Sequence, residues 1–251
     1  TARGFFTSGE SHGFDSTVRT IAAQINIDNE STAKNTESPE DRHDFENSDR
    51  AVAVAFTALG DYVFVALQGS NAVAVLDAYS GQMITQLPNS GVGPVGMTVS
   101  HDGERLFVHS FLSRSVQVYD VPGLLSGAPN ARQPLAIVST VAEEKMDAVI
   151  LQGKRIFYNA EDARMNQDGY ISCASCHLDG GHDGQVWDRG AHGEGMRNTI
   201  SLLGRSGSGH GPLHWSGNFD ETQDFEHDMR TTFGGLGSVS YTHLRAHETS
   251  E

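Results

Sequence analysis

The sequence predicts a multidomain chain: a partial all-β propeller of four-stranded blades over residues 1–140, then a mainly α-helical domain over residues 141–238. Three observations predict it. A unit of short alternating strands repeats at an offset of 43 residues. Near residue 141 the apolar spacing changes from the period of a strand to that of a helix. Both cysteines of the chain fall in one short stretch, Cys173-Ala174-Ser175-Cys176-His177.

Residues 1–25 hold strand-like pieces such as Thr17-Val18-Arg19-Thr20-Ile21. Residues 26–50 are polar and acidic, lack hydrophobic periodicity, and read as a long surface loop. Asp41, His43 and Asp44 in it could hold a cation, but a solvated loop is the plainer reading. From residue 51 the repeat appears. Residues 55–65 align with 98–108, and 70–77 with 113–120, without a gap. Gly60 and Gly103 sit where a tight turn needs positive φ. Fourth strands are expected at 82–87 and 135–139. A four-stranded unit of this length is a propeller blade, and a ring takes about four to eight of them. The remaining blades are expected outside this stretch. His101 and His109 read as ordinary turn and strand residues. Residues 141–152 combine good helix formers with helical apolar spacing.

The pattern C-x-x-C-H is the attachment signature of c-type haem. Two thiols add across the haem vinyl groups, and the adjacent histidine supplies an axial nitrogen to the iron. Cys173 and Cys176 are therefore the expected attachment points, His177 the proximal iron ligand, and haem c the cofactor. Two other readings of these residues stay open. A redox C-x-x-C pair should sit beside a βαβ pattern, and none is visible. A zinc site needs two more ligands, which downstream histidines could supply. Covalent haem c points to the bacterial periplasm or cell exterior. The chain opens on Thr1-Ala2-Arg3, without a methionine, so the lack of a signal peptide says nothing against that. A formal charge of -15 excludes a nucleic-acid surface and favours a basic or neutral partner. No apolar run approaches a membrane span.

Two family resemblances add to this. The stretches DGERLFV (102–108) and SRSVQVYD (113–120) resemble the YVTN family of β-propellers. The approach GKRIFYNAEDARMNQDGYISCASCH (153–177) resembles the bacterial di-haem cytochrome c peroxidase superfamily, which includes the methylamine-utilisation di-haem oxidases. Arg197-Asn198-Thr199-Ile200-Ser201-Leu202 is similar to that superfamily's R-N-T-P-S-L, with Ile200 in place of proline. Leu213-His214-Trp215-Ser216-Gly217-Asn218 is similar to its F-W-D-G-R. The likeness covers about residues 145–236 and implies a c-type cytochrome domain. Superfamily members carry a second C-x-x-C-H in a following domain; this sequence has one only. A second haem is thus expected only in a part beyond the present chain.

Around the motif, Asp179–Gly184 reads as a flexible turn that lets the chain fold over the haem edge or admits a substrate. Asp162, Asn166 and Asp168 could hold calcium, but their spacing is not that of an EF-hand, and a turn is the plainer reading. Trp187 and Trp215 could relay electrons or pack on the porphyrin. Arg197 could pair with a haem propionate. The sixth-ligand candidates are His192, Met196, His210 and His214. The superfamily places a histidine shortly before its Arg-Asn pair, which puts His192 first and Met196 second. Residues 239–251 resemble a translated sequencing adaptor and are expected to carry no fold. The expected function is one-electron transfer with a redox partner protein or a small donor or acceptor. The alternatives are a di-haem peroxidase-like oxidoreductase and a propeller binding platform with a structural haem.

Overall fold

The structure, a computed structural model, describes residues 20–26, 36–189, 195–203 and 211–237. It opens on a hairpin. β1 (Thr20–Asn26) pairs antiparallel with β2 (Thr36–Phe45), with Thr20 opposite Phe45. This corrects the expected loop over 26–50. Along the end of β2 the burial alternates: Arg42 and Asp44 form an exposed ion pair, while Phe45 is buried. A single inward apolar side chain supports a strand by contact with its neighbours but is too little to show as a period.

The next eight strands form two antiparallel sheets. β3 (Ala51–Phe56), β4 (Tyr62–Leu67), β5 (Ala72–Asp77) and β6 (Met83–Leu87) make the first, in sequence order. β7 (Pro94–Val99), β8 (Arg105–Ser110) and β9 (Ser115–Asp120) lead through the short helix α1 (Val121–Leu125) to β10 (Ala136–Ser139), completing the second. Gly60 and Gly103 take φ of +72° and +75° at the equivalent hairpin turns, as the repeat requires. β3 runs beside β7, so the first strands of the two sheets adjoin. The arrangement is propeller-like, and among the described residues the sheets do not close into a ring.

Period-2 alternation assigns each side chain of the first sheet to one of two cores. Phe64, Val73, Val75 and Leu87 face the second sheet and pack with Leu106, Val108, Tyr119, Val121 and Leu124. Val65, Leu67, Ala74 and Leu76 face the hairpin and pack with Phe45 and Ala22. Both faces of β4 and β5 are therefore covered. That is why YVFVAL and AVAVLD read as nearly unbroken apolar runs, whereas along RLFVHS burial alternates.

Among its described residues the remainder is not mainly α-helical, and this part of the expectation is corrected. α2 (Ala148–Phe157), α3 (Cys173–Cys176) and α4 (Phe225–Thr231) are joined by turns and by the small antiparallel pair β11 (Val186–Arg189) and β12 (Gly195–Asn198). Glycine is dense from residue 180 to 217, and each glycine costs a helix roughly 1 kcal/mol relative to alanine. The helix expected over 141–152 starts only at Ala148. Asp147 caps it, accepting from the Val149 and Ile150 amides at 2.8 and 3.4 Å. It then continues through Gly153 to Phe157.

The two-core packing predicts a sharp contrast. Leu106, fully buried between the sheets, should cost about 2–5 kcal/mol when cut to alanine. Ile137, 63% exposed on β10, should change stability by less than about 0.5 kcal/mol. Urea unfolding of the two variants checks this; similar losses at both sites would contradict the assigned packing.

Candidate haem-attachment site

α3 is a single turn with a capping box at its start. The Ser172 amide donates to Ser175 Oγ at 2.8 Å, and the Ser175 amide donates to the Ser172 carbonyl at 3.0 Å. Ala174 and Ser175 are buried, while Cys173, Cys176 and His177 are partly buried. Cys173 and Cys176 occupy positions i and i+3 of the turn, and His177 is its C-cap, leaving the helix at φ -91° and ψ 69°. The turn thus buries the two intervening residues of the motif and shows its three reactive ones. The cysteines are not joined in a disulfide.

The buried side of the turn rests on the first blade. Asp49, just before β3, is 2% exposed. Its Oδ2 accepts from Ser172 Oγ and its Oδ1 from Ser175 Oγ, both at 2.6 Å. Burial pushes its carboxyl up from 3.8 to about 6, against the opposing pull of the two hydroxyls and of Arg50. Arg50 Nη1 donates to the Ala174 carbonyl at 2.9 Å, and its guanidinium lies 5.8 Å from the Tyr158 ring centroid. Further links come from the same end of the sheets. The Ala160 amide donates to the Gly69 carbonyl at 2.8 Å, Asn71 Nδ2 to Asn159 Oδ1 at 2.8 Å, and Arg155 to the Leu112 carbonyl at 3.2 Å.

His177 is fixed from the other side. Its Nδ1 lies 2.8 Å from the Ile200 carbonyl, which can only accept, so Nδ1 carries the proton and Nε2 the lone pair. Burial holds the imidazole below its ordinary pKa, against the Ile200 and Gly181 carbonyls, and so favours the neutral ring. The segment that supplies Ile200 anchors both tryptophans as well. Trp215 Nε1 donates to the Asn198 carbonyl at 2.7 Å, and Trp187 Nε1 donates to Thr199 Oγ1 at 3.2 Å and to Asp183 Oδ2 at 2.9 Å. The stretch that resembles R-N-T-P-S-L is thus the strip on which the histidine and both tryptophans hang.

Other residues singled out in the sequence fall as follows. Arg197 is half-buried in β12, opposite Trp187, and its Nη1 donates to the Met196 carbonyl at 3.0 Å. Met196 is 60% exposed, as is Trp215. His214 packs against Phe219 and Phe225 and pairs with Asn218 Oδ1 at 3.0 Å. His192, His210 and residues 239–251 lie outside the described residues. Asn166 is a turn organiser: its Nδ2 donates to the Ala160 and Ile171 carbonyls, and its Oδ1 accepts from the Gly169 amide. Asp162 is engaged by Arg164. Asp49 and Arg50 were hidden in the sequence, because their partners lie more than 120 residues away.

The donor set fits a c-type haem. Two thiols and an imidazole lie within one short turn, and one imidazole nitrogen is tied to a backbone carbonyl, the usual arrangement behind a metal-bound histidine. A redox C-x-x-C pair lowers a thiol pKa; here burial pushes the Cys173 thiol up to about 11. Among the described residues no group of three or more His, Cys, Asp or Glu side chains is placed to hold a metal ion. No helix among them is long and apolar enough to cross a membrane.

No protein-family profile matches the chain, and no curated protein matches it. Part of the chain is similar to three solved structures. One is hydrazine synthase from Kuenenia stuttgartiensis, at 21% identity over 37% of this chain and 24% of that chain, with a TM-score of 0.32. Another is Hsv2 from Kluyveromyces lactis, at 16% identity over 39% and 33%, with a TM-score of 0.32. The third is dihydro-heme d1 dehydrogenase NirN in complex with DHE, at 17% identity over 43% and 20%, with a TM-score of 0.31. The chain spans a third or less of each of them. Its class is therefore defined by its own features: two propeller-like four-stranded antiparallel sheets that carry a C-x-x-C-H turn at one end.

The environment of Asp49 predicts a pH signature. Its folded-state pKa lies above the unfolded value, so the folded protein holds this proton more tightly. Its contribution to stability is therefore greatest at low pH and falls as pH rises from about 4 to 6, by roughly 3 kcal/mol. Exposed carboxylates of lowered pKa, such as Asp77 and Asp102, slope the other way. The measurement is thus the difference in unfolding free energy between the wild type and Asp49→Asn. That difference should fall across this window and flatten above pH 7; a flat difference throughout would contradict the buried carboxylate.

Proposed function

We propose that this protein is a haem c-binding electron-transfer protein of the periplasm or cell exterior. Cys173 and Cys176 attach the haem by thioethers, and His177 is its proximal iron ligand. The observation that carries this is the C-x-x-C-H turn itself, capped by His177, whose Nδ1 is held by the Ile200 carbonyl. Bound haem supplies one-electron redox chemistry. The chain's residues set how it is held. The Ile200 carbonyl fixes the tautomer and ring orientation of His177. The buried Ala174 and Ser175 pack the turn onto the blade, so that the thiol face stays accessible. The strip 198–200 brings Trp187 and Trp215 toward the same region, where large rings can cover a porphyrin. Arg197 remains the proposed partner of a haem propionate, and His192 or Met196 the proposed sixth ligand. The charge of -15 favours a basic or neutral redox partner, protein or small molecule.

Expression with a c-type maturation system tests the proposal. The protein should keep its haem after acid-acetone extraction, whereas Cys173→Ser/Cys176→Ser should lose it. His177→Ala should keep the haem but lose the low-spin spectrum. Complete loss of haem from the wild type on extraction, or zinc recovered in its place, would sink the proposal.

A further inference from the structure

We propose that Asp49 and Arg50 form a clamp that positions the C-x-x-C-H turn for haem attachment, so that thioether formation at Cys173 and Cys176 depends on the folded first blade. This rests on the haem-attachment function above.

The turn cannot hold itself. A helix of four residues stays below the length at which propagation repays nucleation, so its order has to come from tertiary contacts. Asp49 and Arg50 supply them at the right atoms. The two Asp49 oxygens take the hydroxyls of Ser172, which precedes the first cysteine, and Ser175, which precedes the second. Arg50 takes the carbonyl of Ala174, between those two positions. Hydrogen bonds to a carboxylate or guanidinium are roughly twice as strong as neutral ones. All three contacts are made by the residues next to the cysteines and by none of the thiols or the imidazole, so they fix the turn without engaging its reactive groups.

The blade is shaped around the carboxylate. Gly69, in the turn between β4 and β5, leaves space that a side chain would fill: a Cβ there would lie 2.0 Å from Asp49 Oδ2. The Asp49 amide donates to Ser70 Oγ at 2.8 Å, and the Gly69 amide donates to the Asp49 carbonyl at 3.2 Å, so the backbone is pinned as well. A buried carboxylate is expensive to keep without such partners. An apolar side chain would fill this space at lower cost, but it could not hold two hydroxyls in a set orientation. Asp49 and Arg50 are positioning residues: they act on the turn through Ser172, Ala174 and Ser175. Because burial and, after it, the Asp49 charge push the Cys173 thiol pKa up, labelling rates are compared per thiolate.

The experiment uses the full chain in two states. In the apoprotein, the reaction rate of each cysteine with a small aromatic disulfide reagent reports the order of the turn. In protein made with a c-type maturation system, mass spectrometry reports the fraction of chains carrying two thioethers. Asp49→Ala should raise the Cys173 labelling rate about tenfold, the scale of change expected when a buried hydrogen-bonded anchor is lost. It should lower the doubly linked fraction severalfold, by the same local opening. Ser172→Ala/Ser175→Ala should do the same, and adding Asp49→Ala to that pair should change little further, because the three side chains act as one unit. Asp49→Asn keeps the size and can bond both hydroxyls, one as acceptor and one as donor, but without the charge, and should fall between wild type and Asp49→Ala in both readouts. Leu106→Ala weakens the blade core away from the turn; compared at a temperature where it remains folded, it should alter neither readout.

Wild-type labelling and loading in Asp49→Ala would overturn the clamp. So would effects of Leu106→Ala that match those of Asp49→Ala, or effects of the serine pair and Asp49 that simply add. If Asp49→Ala does not fold, the serine pair set against Asp49→Asn decides the matter by the same two readouts. If the wild type takes no haem, the proposed function fails, and the apoprotein labelling still decides whether the clamp exists.

Discussion

The buried carboxylate of Asp49, held between the hydroxyls of Ser172 and Ser175, is the contact on which the site depends. It joins the first blade to a four-residue helical turn that has too little of its own to stay ordered. Arg50 next to it takes the Ala174 carbonyl, and Gly69 leaves the space in which the carboxylate sits. Once the buried side of the turn is fixed in this way, the helical spacing does the rest. Cys173 and Cys176, at i and i+3, then share one side of the turn, and His177 follows directly at its C-cap.

The histidine is secured by an independent route. Its Nδ1 reaches a carbonyl of the strip 198–200, which also holds the indole nitrogens of Trp187 and Trp215. The site is therefore clasped between the blade end below and a glycine-flanked strip beside it. The two supports do different physical work. The blade orders the turn through charge-assisted hydrogen bonds, while the strip selects the tautomer and ring plane of one ligand. A change in either should be visible in a different observable, order in the first case and iron ligation in the second.

Much of the first half was legible because its physics is local and periodic. β4 and β5 are covered on both faces and read as apolar runs. β8 and β9 alternate, and Gly60 and Gly103 mark equivalent turns at the repeat offset. The hairpin partner β2 was not legible, because Phe45 is its one large apolar residue and polar residues surround it in sequence. The expectation of a mainly helical second half failed on its glycines, which leave turns where helices were expected. In the site itself, the C-x-x-C-H spacing carried the geometry of the three reactive side chains. Asp49 and Arg50 looked like one more acidic-basic pair in a polar loop, since only the folded chain brings them beneath residues 172–175.

The central claim is that this face of the turn carries covalent haem. The most direct measurement is the intact mass of the matured protein under denaturing conditions, together with alkylation of its thiols. A protein heavier by one haem, with neither Cys173 nor Cys176 open to alkylation, is the predicted result. An unmodified mass with both cysteines alkylated, from cells that mature other c-type cytochromes normally, would contradict it.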